Sequence, residues 1–263
     1  MREILTELEV ESFVSDPNPM KRAQTQMRTP LPKRFYKEAS VAGAQGLFAV
    51  HLDGKPVKTP ARKLLSFPTV AAAKLVADEF SAQDKEINPA LMPATRLANT
   101  AIDGIATEVE AVQEDIIRFA SNDMICYRAE GPDALVVRQA DVWDRYIDWA
   151  RSRYGARLYL AEGVMHIAQP REAITLIGAA VKQITDPLQL ACLHNMTTLT
   201  GSAILALAIL EGEASAEEAW HAAHLEEDWT SEQWGEDREA TERRATRWLD
   251  MTAAVDMLKA LKA

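Results

Sequence analysis

The stretch that most limits what this chain can fold into runs from Pro187 to Gly212, PLQLACLHNMTTLTGSAILALAILEG. Asp186 suits the N-cap, Pro187 the first helical position and Gln189 the return half of a capping box, while Gly212 offers a left-handed stop. Between those signals the apolar residues fill more than one stripe. Leu188, Cys192, Met196, Leu199, Ala203, Ala206 and Leu210 follow one row, and Leu190, Leu193, Ile204 and Ala208 another. A helix that is apolar nearly all round must be covered by protein or by lipid. The run from Ile204 to Leu210 is far short of the roughly 20 apolar residues that a bilayer span needs, and Gln189, His194 and Asn195 interrupt the first half. The expectation is one buried helix over 187–212, the central post of a helical domain, with no membrane insertion. Gly201 would then be explained by close approach of a neighbouring helix.

With 263 residues, 48% of them hydrophobic and 26% charged, the chain has room for one large or two modest soluble domains. Cys126 and Cys192 stand far apart in apolar surroundings, outside any metal-ligand spacing, and read as reduced core thiols. The opening residues, MREILTELEVE, are acidic and carry neither a secretory signal pattern nor an Arg- and Ser-rich transit pattern, so a cytoplasmic protein is expected.

Taken in order, residues 1–30 hold a short amphipathic piece (Ile4, Leu5, Leu8) followed by a proline-rich run, and read as an extended arm. From Arg34 the period becomes two. RFYKEASV, GLFAVHL and KLLSF are strand candidates, and Asp53-Gly54 marks a tight hairpin between residues 46 and 59. Thr69 opens a helix to about Gln83, and a long helical pattern runs from Ala94 to Phe119, bent at Gly104. ICYRAEGP reads as a brief extended piece. Helices follow over 135–154, with Val136, Trp143, Ile147 and Ala150 on one face, and over 171–184; a pair of very short strands is expected around Glu162-Gly163. Ser215 and Glu218 form a capping box for a helix ending near Gly235, and a last amphipathic helix spans 237–262. The fold class expected is α+β: a small antiparallel α+β domain over 31–93, then an all-helical domain over 94–263.

Net charge is -10 and unevenly placed. Glu211–Ala240 holds eleven acidic residues and one basic one, Arg238, whereas Met20–Lys37 holds six basic residues and no acidic one. Both runs can be plain solvated surface, or a bipolar surface that orients a partner. An acidic total without a broad basic stripe argues against nucleic-acid binding. No phosphate-binding loop and no GxSxG elbow is present, so neither nucleotide binding nor serine nucleophile chemistry is indicated. His51 reads as a surface residue on a strand and His194 as a core histidine. His221 and His224, three apart near Glu227 and Asp228, could hold zinc, but HAAHLEED lacks the HExxH general base. By motif alone, no enzyme is visible. The densest unusual feature is LEEDWTSEQWGEDREA, where Trp229 and Trp234, with Trp220 just ahead, are interleaved with carboxylates. These tryptophans are either core wedges or the aromatic anchors of an interaction rim. If one helix carried them, Trp220 and Trp234 would lie close to one face.

Seven strings together resemble one family. They are KRFYKEA from Lys33, LDGKPVKTPAR from Leu52, ADEFSAQ from Ala77, INPALMPATRLANTAID from Ile87, SNDMICYRAEGP from Ser121, LTGSAILALAI from Leu199 and AWHAAHLEEDWTSEQWGEDREA from Ala219. In this order they resemble the assembly chaperones that act on the alpha subunit of the ATP synthase F₁ head, found in mitochondria and some bacteria. The resemblance implies a two-domain, non-enzymatic protein without cofactor or metal. Such a protein holds an unassembled alpha subunit by its future interface, prevents its aggregation and leaves as the hexamer forms. Phe80 stands where the family usually has tryptophan, keeping aromatic bulk without the indole donor; Thr230 replaces a frequent glutamine, and Arg145 a common proline. The acidic start favours a bacterial, cytoplasmic member, and the protein is expected to be monomeric when free; a eukaryotic member would belong in the mitochondrial matrix. The residues expected at the partner are Glu226, Glu227, Trp229, Trp234, Glu236 and Asp237, with Phe35, Tyr36 and Phe80 on the other domain. The competing expectations are a small metal-dependent hydrolase using His221, His224 and Glu227, and a scaffold for a different protein.

Overall fold

The computed structural model describes residues 31–163 and 165–263. The expected arm over 1–30, with Ile4, Leu5 and Leu8, lies outside the described residues. Among the described residues, 31–35 cluster with Gln83–Asn88, and a larger unit is made of Tyr36–Ala82 and Pro89–Ala263. In the smaller unit two extended pieces run antiparallel: Lys33 bridges Glu86, Arg34 N–H donates to the Lys85 carbonyl (2.9 Å) and Ile87 N–H to that of Pro32 (2.8 Å).

The larger unit opens with a small antiparallel sheet. β1 (Ala39–Ala44) pairs with β2 (Leu47–Leu52), with Val41 opposite Val50. On its other side β2 meets β3 (Lys55–Pro56) and β4 (Ser66–Phe67). The first strand starts later than RFYKEASV suggests and takes in Ala42, Gly43 and Ala44. The turn is confined to Gln45 and Gly46, both at positive φ (55° and 80°), as a two-residue hairpin requires. Asp53 (48°) and Gly54 (77°) repeat that geometry at the expected second hairpin. α1 (Val70–Ser81), capped by the Thr69 hydroxyl on Ala72 N–H (3.1 Å), lays Ala73, Val76, Ala77 and Phe80 against the sheet.

The long helix expected from Ala94 is two helices. α2 (Pro93–Asp103) ends at Gly104, a 3₁₀ turn covers Ile105–Thr107, and α3 (Val109–Ser121) leaves in a new direction to pack on later helices. Glycine weakens the helix locally, and Asp103 turns back to accept from the Thr59 hydroxyl (2.6 Å) and Ala61 N–H (2.9 Å). β5 (Tyr127–Arg128) pairs in parallel with β6 (Ala161–Glu162), so the short strand at Glu162 finds a remote partner instead of the local one expected. Between them α4 (Asp133–Tyr154) buries Leu135, Gln139, Trp143, Tyr146 and Ala150; Val136 and Ile147, expected inside, are only half-buried. The face is rotated because polar Gln139 is drawn into the core, where it bonds on both sides. α5 (Arg171–Lys182) follows as expected.

Pro187–Gly212 is also two helices: α6 (Pro187–Thr200) and α7 (Ala203–Glu211). Asp186 caps the first on Gln189 N–H (2.8 Å), and Gly212 closes the second at φ 80°. The break is at Gly201, in the left-handed region at φ 68°. A side chain there would meet Met124 at 3.6 Å, which is ordinary contact, so the glycine serves backbone conformation and not close approach. Ser202 then caps α7 on Leu205 N–H (3.0 Å), and the fully buried Asp123 accepts from Ile204 N–H (3.0 Å) and Ile125 N–H (3.3 Å). Every residue of α7 from Ala203 to Ile209 is buried. The last helices are α8 (Ala216–Ala223), α9 (Leu225–Trp234) and α10 (Arg238–Leu261), whose second half packs on α6, α1 and α2. The boundary expected at residue 93 thus falls inside the larger unit. Among the described residues no helix is long and apolar enough to cross a membrane.

Two outcomes follow from the break. Gly201→Ala forces a Cβ into a left-handed conformation that costs roughly 1–2 kcal/mol, so the melting temperature should fall by several degrees; an unchanged value would contradict the assignment. Burial pushes the Asp123 carboxyl up to about 6, against opposing donation from Ser202, Ile204, Ile125 and Ala203. An acid titrating above its unfolded value of about 3.9 binds a proton on folding between those values. Its contribution to stability therefore grows as pH falls from above 6 toward 4. Denaturation curves of wild type and Asp123→Asn should diverge in favour of wild type over that range; parallel curves would show the carboxyl charged throughout.

Candidate interaction site

The acidic, tryptophan-rich segment is three helices joined by two breaks. α8 starts on the Ser215–Glu218 capping box, formed in both directions (Glu218 N–H to Ser215 Oγ 3.1 Å, Ser215 N–H to Glu218 Oε2 2.8 Å). The chain kinks at His224, which is buried; its Nδ1 lies 2.8 Å from the Trp220 carbonyl and its ring 4.0 Å from that of Trp220. Burial holds the imidazole below the usual histidine range, against the Trp220 carbonyl. α9 then buries a single residue, Leu225, and stops at Gly235, whose φ of 89° and ψ of 164° reverse the chain. Asp237 caps α10 on Glu239 N–H (2.8 Å) and Ala240 N–H (3.3 Å). No residue of α10 before Met251 is buried. The two helices diverge from Gly235 and leave a groove of about 790 Å³. Trp220 and Trp248, 5.2 Å apart, line it together with Ala240, Ala245 and Thr241; Glu226, Glu227, Asp228 and Glu236 add carboxylates.

The three tryptophans therefore have different duties. Trp220 is 8% exposed and belongs to the core. Trp229 is half-buried beneath the Arg138 guanidinium, 5.9 Å from its centroid. Trp234 is 86% exposed and does not line the groove. The kink at His224 defeats the single-face expectation for Trp220 and Trp234. Among the carboxylates, Glu226 accepts from Gln139 Nε2 (2.6 Å), which is itself held by Ala129 N–H on its oxygen (2.9 Å). Asp228 pairs with Arg244 and with His221 Nδ1 (3.2 Å). Partial burial opposes ionisation of Asp228, but the Arg244 guanidinium wins and holds the carboxyl below its usual range. Glu232 pairs bidentately with Arg138 (2.6 and 2.8 Å), which likewise lowers its carboxyl. Glu227 and Glu236 stand exposed on the groove.

The zinc expectation is corrected by these contacts. His221 is turned to Asp228, whereas His224 faces the core with Nδ1 on a carbonyl, so the pair does not converge. Among the described residues no group of three or more His, Cys, Asp or Glu could hold a metal ion. His194, expected as a core histidine, is half-buried with Nε2 2.8 Å from Asp115 Oδ2. Of the residues expected on the other domain, Phe35 is 77% exposed. Tyr36 and Phe80 are buried and packed edge to face, with the Tyr36 hydroxyl donating to the Phe80 carbonyl (2.7 Å). A partner resting on the surface would reach little of either ring. Sequence reasoning passed over Trp248, Arg244 and Arg138. The cations of α10 directly after the acidic run were a usable signal; Trp248 gave none, since its place beside Trp220 depends on the turn at Gly235.

An exposed indole, carboxylates turned to solvent and an open aromatic groove are the equipment of a protein that binds another protein. The family profile described as ATP12 chaperone protein matches residues 33–151. A crystal structure of a candidate chaperone from Agrobacterium tumefaciens is 57% identical, with a TM-score of 0.85 over 94% of this chain and 93% of that one. The crystal structure of Atp12 from Paracoccus denitrificans is 35% identical, with a TM-score of 0.81 over 88% of this chain and 98% of that one. The mitochondrial protein atp12 of Schizosaccharomyces pombe is 25% identical over 234 residues, 83% of this chain and 80% of that protein. The chain belongs to the ATP12 chaperone family, whose members are ATP synthase assembly factors; it is a chaperone and not an enzyme. The profile match ends before α9 and α10, while both solved structures are matched over most of the chain.

Because Trp234 packs on little, Trp234→Phe should leave stability within about 0.5 kcal/mol of wild type. The same change should remove the most acrylamide-accessible of the six indoles, since Trp143 and Trp220 are buried and Trp149, Trp229 and Trp248 are half-buried. Quenching that stays at the wild-type level would place Trp234 against other parts of the chain.

Proposed function

We propose that this protein binds the unassembled F₁ alpha subunit of ATP synthase, covers its subunit interface and yields it as the hexamer forms. The observation that carries this reading is Trp234, a large indole 86% exposed at the end of a helix beside solvent-facing carboxylates. Membership of the ATP12 chaperone family supplies the assembly pathway. An orphan subunit with an apolar interface aggregates unless that patch is covered. A few aromatic anchors provide affinity, and charged rim contacts provide encounter and discrimination while allowing exchange. In this reading Trp234, Trp229, Glu227 and Glu236 touch the client. Glu226 and Asp237 hold the helices that present them, and Phe35 gives a second, separate contact. Tyr36 and Phe80 support their surroundings from within. In this reading the free protein is a monomer of the bacterial cytoplasm that uses no cofactor; its similarity to proteins of two bacteria supports the bacterial source.

Purified full-length protein should retain purified alpha subunit in a pull-down. Trp234→Ala should weaken that binding about 30-fold, the loss of a hot spot worth about 2 kcal/mol, and Glu227→Arg should weaken it further at low salt. If both variants, folded by circular dichroism, bind as wild type does, this surface has no part in client binding. Retention of a different chain from the native host, with the alpha subunit left behind, would make the protein a scaffold for that chain.

A further inference from the structure

The groove between α9 and α10 holds chemistry that Trp234 does not account for. Five carboxylates line it (Glu226, Glu227, Asp228, Glu236 and Asp237) against one cation, Arg244. Three of the five are committed within the protein: Glu226 to Gln139, Asp228 to Arg244 and His221, Asp237 to the N–H groups that open α10. Glu227 and Glu236 have no such hydrogen bond or ion pair among the described residues, and both are exposed. Between them the lining is aromatic and small, with Trp220 and Trp248 beneath and Ala240 and Ala245 on the α10 side. At about 30 Å³ per water, the 790 Å³ is room for the heavy atoms of several side chains.

We infer that this groove seats a basic, aliphatic segment of the client, with an aliphatic side chain on the Trp248 and Ala245 floor and lysine or arginine on Glu227 and Glu236. The inference rests on the client assignment above and adds the chemistry of the recognised segment. Charge decides among the possible occupants. An acidic segment would meet a net negative lining. An apolar segment without cations would strip water from Glu227 and Glu236 and give nothing back, and burying unpaired charge is costly. Only a segment that brings cations satisfies both carboxylates while covering the indoles. The same pairs sit at the rim, where they speed encounter and respond to salt, as suits a chaperone that must release what it holds.

Two labelled amphipathic peptides test this, alike in their leucine and alanine positions, one carrying lysine and the other glutamate at the remaining ones. Fluorescence anisotropy on the full chain should show the lysine peptide binding at least about tenfold more tightly than the glutamate peptide, with the gap closing as salt rises. The double variant Glu227→Lys/Glu236→Lys should reverse that order. Ala245→Phe fills the groove at an exposed helical position and leaves the charges in place; it should weaken the lysine peptide, and the alpha subunit, about tenfold or more. Equal affinity for the two peptides, or lysine-peptide binding indifferent to Ala245→Phe, overturns the inference. Wild type and Ala245→Phe retaining alpha subunit equally would also overturn it and leave the client assignment standing. Lysine-peptide binding that behaves as described, with no retention of alpha subunit by wild type, supports the groove chemistry and removes the client assignment instead.

Discussion

A helix with no polar face is stable in water only if it is covered on every side, and the helical region is arranged to do this for α7. Ala203 to Ile209 are all buried, and α6, α3, α4, α8 and α10 supply the cover. Covering a helix completely also covers its ends, where the first N–H groups lack partners. Ser202 and Asp123 meet that need from inside the core. A buried carboxylate is a costly way to do so, as the upward displacement of its titration shows. The left-handed Gly201 makes the arrangement possible, because it lets α7 start afresh beside α6 with an N-terminus that Asp123 can reach.

Asp123 is one of several carboxylates that brace backbone far away in the sequence. Asp53 accepts from the Lys37 and Glu38 N–H groups (3.0 Å each), Glu79 from Ala94 and Thr95 (2.7 Å each), and Asp103 from Ala61 (2.9 Å). Each of these bonds joins two of the strings that carry the family resemblance. Glu79, in ADEFSAQ, caps the helix opened by INPALMPATRLANTAID; Asp53, in LDGKPVKTPAR, holds KRFYKEA. The strings are thus mutual caps and braces, which explains why they sit in separate parts of the chain and why none resembles a catalytic motif. Charge-assisted bonds to backbone N–H groups are stronger than neutral ones, and a brace of that kind fixes α1, α2 and the sheet as one body.

The proposed interaction surface lies where that economy of burial stops. α9 buries Leu225 alone, and α10 becomes a core helix only from Met251 onward. Ion pairs of Arg138 with Glu232 and of Arg244 with Asp228 hold the hairpin of helices where apolar packing does not. Exposed pairs of this sort contribute little stability each, so the groove is held open more by the turn at Gly235 and the Trp220–Trp248–His224 cluster at its base. The result is an aromatic and acidic face, and the proposed client contact rests on it.

Local chemistry made much of this legible from the residues alone. Asp186, Thr69, Ser215–Glu218, Asp53-Gly54 and Gly212 each act within a few residues of themselves, and each stands where the pattern put it. The density of acid and tryptophan after Gly212 singled out the segment proposed above for the same reason, since composition is a local property. Other choices were not local. Gly104 and Gly201 could bend a helix or end it, and which occurred depended on remote partners: Asp103 with Thr59 and Ala61, Asp123 with Ile204. Whether a tryptophan is core or rim is likewise a matter of what lies opposite, so Trp220 went inside against Trp248 and Trp234 stayed out. The sequence by itself determined the elements and their caps, because those depend on neighbours along the chain. Only the tertiary structure decided which breaks are turns, which carboxylates are braces and which remain open to solvent, because each of those depends on groups that the chain brings together from far apart.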